Sequence, residues 1–189
     1  VYLFLGLYFI ALLCLRFGQP TKHIIALILV LVFGTNLWYS CIWQPCMSHL
    51  YSFSLISFLL YAIHSPKKRF YWLIIGLLLG LIASTRLVNL LLLGVLAIGF
   101  HSTFILEGRK GRAIIQGFVG LVLGFLPQIL HSMYLRFKNL KAYEGEGFPF
   151  ALSPKIDAIL WSPTNGILIY TPVFAAIILL AFYYLYRKR

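Results

Sequence analysis

The sequence predicts an all-α fold, a polytopic bundle of about seven transmembrane helices with one longer outward loop. Three observations predict it. The chain is 61% hydrophobic and only 11% charged, with a mean hydropathy of +0.92. Soluble domains average about 25% charged and about 45–50% apolar residues, so this chain lacks the polar side chains to coat a water-facing surface. The apolar residues fall in runs close to the roughly 20 that a bilayer-crossing helix needs. The basic residues sit in short clusters between those runs, the pattern of membrane anchoring and orientation. The net charge of +12 is therefore read as topology rather than as a nucleic-acid surface.

The elements follow in order. The first helix covers residues 1–15 and begins hydrophobic at Val1, which suggests a piece of a longer chain whose N-terminal part is missing. Residues 16–22, with Gly18 and Pro20, break the pattern before a second helix over 23–38. The uncharged stretch TNLWYSCIWQPCMSH leads to a third helix over 48–63, which stops at HSPKKR. A short fourth helix spans 70–83, the turn STRLVN separates it from a fifth over 87–106, and EGRKGR precedes a sixth over 113–131. A loop over 134–165 leads to a seventh helix, 166–186, ending in Arg187-Lys188-Arg189. Together they are read as a single transmembrane domain, 1–189. Gly76 and Gly80, like Gly120 and Gly124, have the small-xxx-small spacing that lets helices approach closely. Pro127 and Pro172 fall inside apolar runs and are expected to kink helices six and seven. Cys14 reads as a small buried hydrophobe, and the spacing of Cys41 and Cys46 permits a disulfide without requiring one.

Alternating helices divide the charges. One side holds Arg16, Lys22, Lys67, Lys68, Arg69, Arg109, Lys110, Arg112 and the three C-terminal basic residues. The other holds Arg86, Arg136, Lys138, Lys141 and Lys155, four of them in the long loop, where the positive-inside rule is weaker. The C-terminus is thus expected in the cytoplasm, with QPCMSH, the Arg86 turn and the 134–165 loop facing outward.

Candidates for chemistry lie on that outward side. His49 opens the third helix with Ser48 as its cap, and is read either as an interfacial histidine or as a functional group at a cavity. Arg86 is the one charge between Arg69 and Glu107. Snorkelling explains it; so does an anion site, because a planar guanidinium fork suits phosphate or carboxylate. Gln44, Tyr51, Asn165 and Tyr170 are candidate substrate-pocket residues. Glu144 and Glu146, set among glycines and aromatics, are read as a solvated loop or as a sugar or metal pocket. No nucleotide fingerprint, nucleophile elbow or zinc-ligand spacing is present. These residues predict no particular cofactor, and a divalent metal is compatible with the acidic loop.

Three segments in order, Met47-Ser48-His49-Leu50-Tyr51-Ser52-Phe53, the run from Gly76 to Asn89 (GLLLGLIASTRLVN) and the run from Trp161 to Pro172 (WSPTNGILIYTP), resemble bacterial multi-spanning glycosyltransferases of the GT-C type, mannosyltransferase-like enzymes that use polyprenyl-phosphate sugars. The resemblance covers the chain from about residue 36 onward. It implies inverting transfer of a sugar from a polyprenyl-phosphate donor to an acceptor at the outer face of a bacterial inner membrane, with Arg86 and His49 toward the lipid phosphate. Two departures matter: Leu87 stands where many relatives have proline, and the family's catalytic carboxylate would lie upstream of Val1. Glu144 and Glu146 are not substitutes for it. The alternatives are a transporter or lipid flippase, which needs polar residues along a transmembrane path, and a catalytically silent membrane subunit or remnant. The expected partners are the lipid-linked sugar and membrane lipids, not nucleic acid.

Overall fold

A computed structural model describes residues 1–43, 48–66, 69–86, 89, 110–134, 155–162, 168 and 171–187. Among these residues every regular element is α-helical: α1 (Tyr2–Arg16), α2 (Thr21–Phe33), α3 (Leu37–Ile42), α4 (Ser48–Ile63), α5 (Tyr71–Thr85), α6 (Lys110–Tyr134), α7 (Ile156–Trp161) and α8 (Pro172–Arg187). They group into two compact units, one of Val1–Gln19 with Cys46–Ala142, the other of Pro20–Pro45 with Tyr143–Arg189.

The first unit is built from α1, α4, α5 and α6. Its α1 ends in a Schellman motif: Gly18 has a φ of 69°, its N–H donates to Leu15 O at 3.0 Å, and Gln19 N–H donates to Cys14 O at 3.0 Å. Glycine is needed there because a Cβ disfavours left-handed backbone. Along α1 and α4 the contacts advance together. Tyr2 meets Tyr51, with ring centroids 4.3 Å apart, and Phe9 stacks on Phe58 at 4.2 Å. Arg16 then donates to His64 O at 3.0 Å. The two helices therefore run parallel. By contrast α4 and α5 are antiparallel, since Tyr71 Oη donates to Ile63 O at 2.9 Å at one end and Ser52 meets Thr85 at the other. Leu59, Ala62, Tyr71, Ile75, Leu78 and Ile82 form the core between them.

Glycines join α5 to α6. A Cβ on Gly76 would strike the Gly117 carbonyl, one on Gly80 the Leu121 carbonyl, one on Gly120 the Leu73 carbonyl, and one on Gly124 the Leu77 carbonyl. The two backbones are in direct contact along this seam, and the small-xxx-small spacing in both helices makes that approach possible. Residue 73 faces 120 and residue 77 faces 124, so α5 and α6 also run parallel.

In the second unit, Gly34 ends α2 against the Val173 side chain of α8. The helix expected over 23–38 is broken here. The Thr35 hydroxyl donates to Leu31 O and accepts from Leu37 N–H at 3.4 Å, ending one helix and starting the next. Three other expectations are also corrected. The sixth helix is longer than 113–131, reaching from Lys110 to Tyr134 with Pro127 inside it. The stretch 134–165 is not wholly a loop, because α7 lies within it. Pro172 opens α8 instead of kinking it, consistent with a ring that supplies no N–H at a first helical position. The expected helix over 87–106 and Cys46 lie outside the described residues, and so does much of 166–171.

Among the described residues, one helix, Gly111–Tyr134, is long and apolar enough to cross a membrane. The helices Tyr2–Arg16, Thr21–Phe33, Ser48–Ile63, Tyr71–Thr85 and Val173–Tyr184 are shorter and apolar.

Candidate functional site

At the end of the first unit where α4 begins and α5 stops, polar side chains gather. Helix α5 closes at Thr85, whose hydroxyl turns back to Ile82 O at 2.7 Å. Arg86 then adopts extended backbone, with φ −156° and ψ 127°. That change of direction carries its side chain to α4, where Nε donates to Ser48 Oγ at 2.5 Å. His49 is the next residue of α4 after Ser48. Arg86 and His49 are both exposed, so a ligand in solvent or in a surrounding phase can reach them.

Asn89 ties this turn together. Its N–H closes on Arg86 O at 3.0 Å. Its side-chain amide donates to Ser52 Oγ at 3.0 Å, Thr85 Oγ1 at 3.2 Å and Ile82 O at 3.4 Å. The last of these contacts the carbonyl end of α5, where intrahelical donors run out. Ser52 and Thr85 lie 3.2 Å apart, so the cluster joins two helices through hydroxyls and one amide. Ser84 adds a link to α6, donating to Gly124 O at 3.2 Å.

The sequence therefore pointed to Arg86 and His49, and the fold brings them together with Ser48. Tyr51, one turn further along α4, packs its half-buried ring on Tyr2 and does not join the Arg86 cluster through any described hydrogen bond. Gln44, Glu144, Glu146, Asn165 and Tyr170 lie outside the described residues. Sequence reasoning missed the positioning role of Ser52, Thr85 and Asn89. The signal was present in the turn STRLVN, where an asparagine three residues beyond an arginine can reach back to a helix end.

Among the described residues of this unit there is no Asp or Glu. Among the described residues, the partner of the guanidinium is the Ser48 hydroxyl. With Nε–H given to Ser48, the four other N–H donors of the fork, set beside a hydroxyl and next to a histidine in the sequence, form an arrangement suited to an oxyanion. Among the described residues no three His, Cys, Asp or Glu side chains gather as metal ligands.

No known protein family, curated protein or solved structure matches this chain.

Proposed function

We propose that this chain is a polytopic membrane glycosyltransferase, or the membrane scaffold of one, in which Arg86, Ser48 and His49 bind the phosphate of a polyprenyl-phosphate sugar. One observation carries the reading: Arg86, with no carboxylate partner among the described residues, donates to the serine that opens α4, beside His49. In the reaction an acceptor hydroxyl attacks the anomeric carbon as the bond from that carbon to the lipid phosphate breaks. The leaving phosphate keeps the electron pair, a base takes the acceptor proton, and the configuration inverts. Donors fixed in advance around the departing charge lower the barrier without reorganising.

Burial supports a lipid surround. On α6 the buried positions include Gly120 and Gly124, while Phe118 is 66% and Ile115 64% exposed. Large apolar groups face outward and small ones face inward, the reverse of a water-soluble helix and the arrangement expected where packing, not hydrophobicity, joins helices. The two parallel pairs, α1 with α4 and α5 with α6, add to this. They fit a chain that crosses repeatedly and alternates direction. Expected placement is a bacterial inner membrane, with the Arg86 end outward and the C-terminus cytoplasmic.

Titration of polyprenyl phosphate into the full chain in neutral detergent tests the site. Arg86→Ala is expected to weaken binding by about tenfold or more, the worth of a charge-assisted hydrogen bond. Arg86→Lys keeps the charge, loses the fork, and should fall between the two. Native affinity in Arg86→Ala would remove this residue from the site.

A further inference from the structure

The opposite end of the first unit holds a second feature. A cavity of about 330 Å³ opens between the C-terminal ends of α1 and α4 and the start of α5. Arg16 stands in its wall, with Phe58, Ala62 and Ile74 among the apolar residues and Tyr61 and Ser65 among the polar ones. Both hydrogen bonds of Arg16 leave from Nη1, to His64 O at 3.0 Å and Ser65 Oγ at 2.7 Å. Its guanidinium carbon lies 5.2 Å from the centroid of the Tyr61 ring. These contacts fix the guanidinium plane, while Nε and Nη2 have no partner among the described residues. Arg69 and Arg112 belong to the same end, since Gln116, one turn after Arg112, donates to Arg69 O at 3.1 Å. No described carboxylate in the unit offsets this charge.

A fixed cation at the mouth of an apolar cavity, on the basic end of a helical unit, matches one ligand: a phosphate with hydrocarbon attached. We propose that this cavity binds an anionic phospholipid, its headgroup phosphate on Arg16 and the first part of an acyl chain against Phe58, Ala62 and Ile74. The proposal rests on the membrane placement above but not on sugar transfer. The reasoning is charge complementarity. A zwitterionic lipid brings its own cation to an end that already carries Arg16, Arg69 and Arg112, whereas an anionic one does not, and basic pockets between helices at the cytoplasmic side favour anionic headgroups. Free phosphate supplies the charge but leaves the apolar wall uncovered.

The test is native mass spectrometry of the full chain in neutral detergent, titrated in parallel with phosphatidylglycerol, phosphatidylcholine, inorganic phosphate and polyprenyl phosphate. The expected result is saturable phosphatidylglycerol binding about tenfold tighter than phosphatidylcholine, with no displacement by millimolar phosphate. Arg16→Gln should abolish that preference, and Arg86→Ala should leave it intact. Because Arg16 also holds the end of α4, Ile74→Trp provides a second variant: it narrows the cavity from an exposed position and should weaken phosphatidylglycerol alone. Equal binding of the two phospholipids overturns the proposal. So does native binding in both Arg16→Gln and Ile74→Trp, or loss of it in Arg86→Ala. If phosphatidylglycerol binds as expected and polyprenyl phosphate does not, the donor site fails and this one stands.

Discussion

Arg86 leaves the end of α5 in extended backbone, and that conformation is what aims its side chain at Ser48 rather than along its own helix. Asn89 holds the turn, because its one amide reaches Ser52, Thr85 and the Ile82 carbonyl. Removing it leaves partly buried acceptors without their donor, which costs more than a hydrogen bond that water can replace. Asn89→Ala is expected to destabilise the first unit by about 1–2 kcal/mol, read as a lower thermal midpoint in detergent. An unchanged midpoint would mean that the turn is held by its backbone alone. The residue types at this end were legible, but their grouping was not. His49 and Arg86 are far apart in sequence, and the antiparallel packing of α4 on α5 is what brings Arg86 to Ser48, the residue before His49.

At the scale of the elements, the α5–α6 seam depends on having no side chain at four positions. The atoms met by a Cβ at Gly80 or Gly120 are backbone atoms, which cannot rotate away. Gly80→Val and Gly120→Val should each push the helices apart and cost about 2 kcal/mol or more, with the same thermal measurement as readout. Gly111, at the start of α6, meets nothing within 4 Å, and Gly111→Ala should be neutral or slightly stabilising, since alanine is the better helix former. If Gly80→Val and Gly111→Ala behave alike, the seam is not the packing surface. The periodic spacing of these glycines was visible in the sequence. The end of α2 was less so. The run 23–38 is apolar enough to continue, yet the Thr35 hydroxyl competes for the Leu31 carbonyl and the helix stops.

For the whole molecule, the proposed orientation can be checked directly. In a cysteine-free background, single cysteines at His49 and Ser65 mark the two ends of the first unit. In sealed inverted vesicles, a membrane-impermeant maleimide should label Ser65→Cys but not His49→Cys until the bilayer is opened. Labelling of both from one side would defeat the transmembrane reading of this unit. The alternation of charge clusters along the chain is what makes the prediction specific.

Composition and spacing were enough to reveal the helical character of the described residues, the apolar runs, the glycine pairs and the isolated Arg86, because each is a local property of the chain. Which helices are neighbours, and in which direction, is a property of packing between distant segments. The pairing of α1 with α4 and α5 with α6, the joining of Arg86 to Ser48 and His49, and the cavity beside Arg16 all arise there. Leucine-rich runs are nearly interchangeable as partners, so hydropathy alone cannot choose among them. Close backbone approach at glycine and a few directional hydrogen bonds make that choice.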